Sequence, residues 1–249
     1  MPIILIRDSF PADAALHAAV SKALMLRVAA GELPETLRIA RPGPIVAFGR
    51  RDVVAAGYPD AVRAARAGGF EAVEGLAGGR AAVFHEDTVA FAHAIPDTDA
   101  RLRIDERFAA TAATIAAAFE RLGVEARVGE VPGEYCPGAH SVNARGERKL
   151  MGVGQRVVSG GSHVGGVVVV DGAARVNKVL VPVYAALGLD WRPEATGSVA
   201  EEVPGTTWDD LTEALMAEYE ERYGLEAAEL DEETLTLAKR LAPEVQSPG

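Results

Sequence analysis

The sequence predicts an α+β fold in a single domain. Apolar runs of strand length and amphipathic helical stretches follow one another along the whole chain, and no internal repeat divides it. With 249 residues, 49% hydrophobic and 24% charged, the chain is long enough to bury one sizeable core. Residues 1–204 are read as the body of that domain and residues 205–249 as its helical C-terminal extension.

Ile3–Ile6 is a short apolar run of strand character. Asp13 is placed to cap a helix whose Leu16, Val20, Ala23, Leu24 and Val28 fall three and four apart on one face, and Gly31 ends it. Thr36–Ala40 and Ile45–Phe48 read as a hairpin around Arg41-Pro42-Gly43-Pro44. Residues 59–67 read as a helix closed by Gly68-Gly69, and residues 70–73 as a strand. Next comes the Gly-rich stretch 74–87, EGLAGGRAAVFHED. Its adjacent Gly78 and Gly79 permit positive φ and close backbone approach to a ligand, although Gly-Gly between apolar runs is more often a hairpin turn than a pocket. GGRA matches neither the P-loop nor the dinucleotide fingerprint, and His85 alone reads as a structural hydrogen-bonding residue.

Residues 88–95 read as a strand ending at Pro96. Residues 105–122 are the clearest helix, with an Ala-rich interior, an apolar stripe of Phe108, Ile115, Phe119 and Leu122, and Gly123 as its stop. A strand at 125–128 follows. Residues 141–144 and 149–158 read as paired strands around Arg145-Gly146, and 164–170 as a buried third strand turning at Asp171-Gly172. His163 reads as structural, beside a Gly-Gly turn, and Asn177-Lys178 as surface. After a linker at 191–204, Thr206 or Thr207 caps a helix to Tyr223, with Leu211, Leu215 and Tyr219 on one face. A last short helix spans about 231–241, and the tail from Glu244 is expected to fray.

Composition excludes several function classes. No run of eighteen apolar residues is present, and the N-terminal MPIILIRD has too short an apolar stretch for a secretory signal, so the expected compartment is the cytoplasm and no membrane role follows. A single cysteine forms no internal disulfide, and no Cys/His set has zinc spacing, so no metal is expected. With 36 acidic against 25 basic residues the formal charge is −11, which opposes nucleic-acid binding. Arg145, Arg148, Lys149 and Arg156 nonetheless crowd one stretch, giving a locally positive patch on which an acidic partner could dock.

That stretch, residues 132–158, carries the chemistry. A Gly/Pro-rich turn displays Cys136 between Tyr135 and Pro137, and thirteen residues later Lys149 opens a Gly-punctuated segment with Gly152 and Gly154. A thiol is nucleophilic as thiolate, and a nearby ammonium favours that form, so the two together suit acyl transfer. A solitary cysteine is more often a small buried hydrophobe and a solitary lysine a solvated charge. Pro137 and Gly138 favour a shaped loop over the strand or helix interior where a packing cysteine sits.

Taken together, the two Gly-rich elements resemble the lipoate-protein ligase and octanoyltransferase superfamily, relatives of the biotin-protein ligases. The resemblance covers most of the chain. Gly78-Gly79-Arg80-Ala81 through His85 resembles the family's GG-x-AV-x-H loop, and Lys149-x-x-Gly152 resembles its lysine motif. Tyr135-Cys136-Pro137-Gly138 with Ser141-Val142 resembles the cysteine-bearing transferase branch.

The resemblance implies a mixed β-sheet flanked by helices, like the catalytic domain of class II synthetases and biotin ligases. It implies an acyl chain in an apolar tunnel behind the Gly-Gly loop, with Gly78, Gly79, Arg80, His85, Gly138 and Gly152 around substrate, Lys149 on the acyl carbonyl and Cys136 as nucleophile. The implied activity is ping-pong transfer of an octanoyl or lipoyl group onto the lysine of a lipoyl domain. Acceptors would be the acyltransferase subunits of 2-oxoacid dehydrogenases or the glycine-cleavage H protein, with an acyl carrier protein among the possible donors.

Departures bear on the branch. Glu74 and Gly75 stand where ligases carry an Arg pair, Ala81-Ala82 is one residue longer than the usual spacing, and the residues after Pro204 suffice for two helices rather than an accessory domain. These lean toward transfer from a pre-activated donor without cofactor. An ATP- and magnesium-dependent lipoate ligase and a non-catalytic acyl-binding protein are the alternatives. His140 stands where a Tyr is often found. No GRGR-like loop is present, which disfavours the biotin branch.

Overall fold

A computed structural model describes residues 1–248. In chain order its elements are β1 (Ile3–Ile6), α1 (Ala14–Ala29), β2 (Thr36–Ala40), β3 (Ile45–Phe48), α2 (Arg50–Val53), α3 (Tyr58–Ala67), β4 (Glu71–Glu74), β5 (Ala82–Phe84), β6 (Thr88–Pro96) and α4 (Ile104–Arg121). There follow β7 (Ala126–Val128), β8 (Val142–Ala144), β9 (Arg148–Val158), β10 (Gly161–Val169), α5 (Ala173–Ala186), α6 (Val199–Glu202), α7 (Trp208–Tyr223), β11 (Leu225–Ala228) and α8 (Glu232–Val245).

The strands form an eight-stranded mixed sheet ordered β11-β1-β2-β6-β10-β9-β8-β7 and a three-stranded sheet ordered β4-β3-β5. The architecture is α+β, a mixed sheet flanked by helices. One face of the large sheet packs on α4 and α7 through Ile39, Phe91, Ile115, Phe119, Leu211 and Leu215. On the other face lies α1, itself covered by α8, with Val20, Ala23 and Leu24 against Ala94 and Ala238. The small sheet forms the second half of that layer and packs on α3 and α5.

Alternation along the strands decides where space is left. Gly152 and Gly154 of β9, Val167 and Gly165 of β10, and Ala90 and Ala92 of β6 are cross-strand neighbours, so they share one face. Residues that small cannot fill the ~10 Å between stacked sheets. A cavity of about 150 Å³ remains between the two sheets, with Ala47, Val73 and Ala82 on its opposite wall.

Several expectations are corrected. Thr36–Ala40 and Ile45–Phe48 are not a hairpin: β2 pairs with β1 and β6, whereas β3 pairs with β4 and β5. The connection passes over Pro11, whose carbonyl would lie 2.0 Å from a Cβ at Gly43, and it carries the chain from one sheet to the other. Asp171-Gly172 opens helix α5, which Val-rich sequence and an internal Pro182 disguise. The C-terminal extension contains a strand as well as two helices, since β11 runs parallel to β1 at the sheet edge.

The tail does not fray over its described residues. Gln246 bridges Val73, the Ser247 N–H donates to the Ala72 carbonyl at 3.1 Å, and the Tyr58 hydroxyl bonds Ser247 Oγ at 2.8 Å. Gly249, also expected to fray, lies outside the described residues. The 191–204 linker likewise holds a 3₁₀ turn at Pro193–Ala195 and a bridge from Thr196 to Lys149.

Candidate active site

The Gly-rich loop between β4 and β5 lies along the cavity. Its Gly75 N–H donates to the Phe48 carbonyl at 2.8 Å, and its Gly78 N–H faces the Gln155 carbonyl at 3.4 Å. Gly79 takes φ +116°, a conformation few L side chains adopt. A Cβ there would stand 2.8 Å from Cys136 Sγ. The next N–H, of Arg80, donates to that sulfur at 3.2 Å. Arg80 is anchored at its other end, where Nη1 meets the buried carboxylate of Asp52 at 3.0 Å. Burial pushes the Asp52 carboxyl up, and Arg80 opposes that shift.

Cys136 is half-buried and held at φ +42°, an uncommon conformation for any residue but glycine. Its N–H donates to the Tyr184 hydroxyl at 2.9 Å, and that hydroxyl donates to the Ala81 carbonyl at 3.1 Å. One tyrosine thereby ties the cysteine loop to the Gly-rich loop.

Lys149 is 1% exposed and its ammonium lies over the Tyr135 ring, 4.8 Å from the centroid. Nζ donates to the carbonyls of Cys136 at 2.8 Å and Tyr135 at 3.0 Å, and to Glu134 Oε1 at 3.0 Å. An ammonium has three donors, and all three are taken. Glu134 in turn accepts from the Gly138 N–H and the Ser141 hydroxyl, and through Oε2 from the Val131 N–H. The cysteine loop is therefore closed on a buried ion pair.

The residues singled out from sequence separate into groups. Cys136, Lys149, Gly78, Arg80 and Gly152 all line the cavity. A Cβ at Gly152 would stand 3.1 Å from Lys149 Cε, so a side chain there would press on the buried lysine. Gly79 backs the thiol. Gly138 serves Glu134 rather than the cavity wall. His85 lies apart: its Nδ1 accepts the Asp87 N–H, its ring packs beside Gly172, and burial followed by Arg175 lowers its pKa. It does not line the cavity. His140 stacks on Phe108 with centroids 5.1 Å apart and an interplanar angle of 7°, a packing position.

The positive patch expected from Arg145, Arg148, Lys149 and Arg156 is neutralised at its first three members, while Arg156 is exposed and forms no ion pair among the described residues. Arg145 pairs with Glu202 at 2.5 Å, Arg148 pairs with Glu201 and Glu202, and Lys149 is buried on Glu134. Glu201 and Glu202 arrive from α6, a helix the sequence reading did not resolve.

Sequence reasoning also missed Glu134, Tyr184 and the polar end of the cavity. Glu134 was detectable as the one acidic residue between Gly133 and Cys136. His17, Ser21, Arg38 and His163 line the cavity with the Ala and Gly floor. The Arg38 guanidinium donates to the carbonyls of Asp8 and His17 and to Ser21 Oγ, and burial brings its pKa down to about 10. Burial lowers His17 to about 3 and His163 to about 4, so both are neutral at physiological pH. Among the described residues His163 Nδ1 has no hydrogen-bond partner. Among the described residues no group of three or more His, Cys, Asp or Glu is arranged to hold a metal, and no helix is long and apolar enough to cross a membrane.

The model of one family, the lipoyl protein ligase A/B catalytic domain, matches residues 13–220. An octanoyl-[GcvH]:protein N-octanoyltransferase of Geobacillus kaustophilus (strain HTA426) is 28% identical over 206 residues, covering 83% of this chain and 72% of that protein. One of the same name from Exiguobacterium sp. (strain ATCC BAA-1283 / AT1b) is 33% identical over 96 residues, 39% of this chain and 34% of that protein. Among solved structures, lipoate-protein ligase A bound with ATP superposes with a TM-score of 0.78 at 18% identity, covering 98% of this chain and 95% of that one. The bipartite lipoate protein ligase of Thermoplasma acidophilum gives 0.75 at 18% identity, covering 98% and 93%. At such identities the structural likeness is one of fold.

Proposed function

Since this chain belongs to the lipoyl protein ligase A/B catalytic-domain family, matched over residues 13–220, we propose that it moves an octanoyl or lipoyl group through Cys136 onto the lysine of a lipoyl domain. The observation that carries this reading is the thiol's position. Cys136 Sγ stands at the wall of a cavity floored by glycine and alanine, within 3.2 Å of a backbone N–H.

The acyl chain would lie along that floor with its carbonyl at Cys136. The thiolate attacks the carbonyl carbon and forms a C–S bond. The bond to the donor atom breaks, and the donor leaves with the proton given up by the thiol. The loop N–H of Arg80 is placed to stabilise negative charge, first on sulfur and then on the developing oxyanion. In the second half, the neutral ε-amine of an acceptor lysine attacks the thioester carbon. A C–N bond forms, the C–S bond breaks, and the amine's proton returns to the sulfur. Neither half requires a cofactor. The Geobacillus relative's name places its octanoyl group on GcvH, and a lipoyl-domain protein of that kind is the proposed donor or acceptor here. Lipoyl domains of 2-oxoacid dehydrogenases are further proposed acceptors and an octanoyl-carrier protein a further proposed donor. The proposed compartment is the cytoplasm.

The test is intact-mass spectrometry after incubation with an octanoylated donor and no acceptor. A hydroxylamine-labile adduct of the acyl mass on Cys136, lost in Cys136→Ala, is expected. Full ATP- and magnesium-dependent lipoylation by Cys136→Ala, with no adduct ever trapped on the wild type, would establish the ligase reading instead.

A further inference from the structure

Glu134 takes no part in the transfer steps above, yet it bonds both ends of the cysteine loop and Lys149 at once. Its carboxylate is wholly buried and accepts four donors: Lys149 Nζ, the Gly138 N–H, the Ser141 hydroxyl at 2.6 Å and the Val131 N–H at 3.0 Å. These contacts span the loop from its entry at Val131 to its exit at Ser141. Between those ends Cys136 holds a positive φ, which persists only where the surroundings over-determine it. Lys149 completes the closure by donating to the carbonyls of Tyr135 and Cys136. The charge of Lys149 is thus balanced at 3.0 Å, and in this arrangement no N–H of the ammonium is left for a substrate carbonyl.

We infer that Glu134 is a positioning residue for acyl transfer: it locks Lys149 and the cysteine loop into one unit that sets Cys136 Sγ against the Arg80 N–H, and it balances the lysine's charge. This rests on the acyl-transfer reading. Lys149 then acts by holding the loop, and the Arg80 amide is the donor aimed at the reacting sulfur. The other ionisable groups around the thiol are Tyr135 and Tyr184, both kept neutral by burial, and the Arg80 guanidinium, which is paired with Asp52.

Glu134→Gln preserves shape but removes the negative charge and presents an amide donor to at least one of the loop donors. The acyl-enzyme should form at least tenfold more slowly from an octanoylated donor. Alkylation of Cys136 by iodoacetamide should do the opposite: with the ammonium uncompensated, its rate-against-pH midpoint should move to lower pH. Simple loosening of the loop would change the alkylation rate without moving that midpoint. In Glu134→Gln/Lys149→Met both charges are gone, so the midpoint should return toward wild type while acylation stays slow. Wild-type acylation in Glu134→Gln, or an unmoved midpoint, would overturn the inference. Should Glu134→Gln not fold, Ser141→Ala removes a single bond to the same carboxylate. A several-fold slower acylation is then expected, and an unchanged rate would overturn the inference equally. If no acyl-enzyme forms even on the wild type, the transfer reading fails, and the alkylation midpoints still decide whether Glu134 governs the thiol.

Discussion

Cys136 is backed so closely by Gly79 that the two positions work as one. A side chain at Gly79 would have to leave φ +116° or push the sulfur off the Arg80 N–H, because its Cβ would begin 2.8 Å from Sγ. The strain of such a backbone is about 1–3 kcal/mol, which a domain of this size survives. Gly79→Val should therefore remain folded by circular dichroism and lose acyl-enzyme formation. Normal acylation in that variant would mean the contact has no bearing on the thiol. Lys149 answers differently. A solvated lysine changes stability by no more than about 0.5 kcal/mol on truncation, but Lys149→Ala strands the buried Glu134 carboxylate, at a cost of about 3–5 kcal/mol. Urea denaturation distinguishes the two, and a loss below 1 kcal/mol would show that Glu134 finds other compensation.

At the level of elements, the C-terminal segment braces the cavity although none of its described residues lines the wall. α8 lies on α1, which contributes His17 and Ser21 to the cavity. The tail beyond α8 extends the small sheet, where Gln246 bridges Val73, a wall residue, and Ser247 is 3% exposed. Deleting residues 246–249 removes that bridge, the Ser247–Tyr58 hydrogen bond and the Arg66 bonds to the Ser247 and Pro248 carbonyls. At about 1 kcal/mol per lost hydrogen bond, a destabilisation of about 2–4 kcal/mol is expected, with faster amide exchange in β4. Equal exchange in the truncated protein would mean the tail is a passive cover. Helices α1 and α4 were legible from apolar residues three and four apart and from their end signals, and the strands β6, β8 and β9 from short apolar runs bounded by Pro96 and by the Arg145-Gly146 turn. α5 was not, since its valines favour strand and Pro182 breaks the helical pattern. β11 was hidden because its four residues, LEAA, carry no strand preference and pair only through register with β1.

For the whole molecule, motif spacing located Cys136, Lys149 and the glycine loop but said nothing of what arrives from distant sequence. Glu134 is local yet was overlooked. Tyr184, Asp52, Arg38 and the two neutral histidines meet the site only through tertiary packing. Those histidines give the molecule a pH dependence of defined sign. His17 and His163 fall from 6.5 in the unfolded chain to about 3 and about 4 in the fold, chiefly through burial, with Arg38 assisting the first and His93 the second. Below pH 6.5 the unfolded chain binds protons that the folded one refuses, so stability is fully present above that value and falls with pH until the folded pKa values are reached. Near pH 5 each histidine removes about 2 kcal/mol. Denaturant titrations at pH 7 and pH 5 should show this loss, and His163→Leu should cut the difference by about 2 kcal/mol while leaving the His17 part. If His163→Leu keeps the wild-type difference between the two pH values, the imidazole is being protonated in the folded state, and the cavity end it lines is wetter than its burial implies.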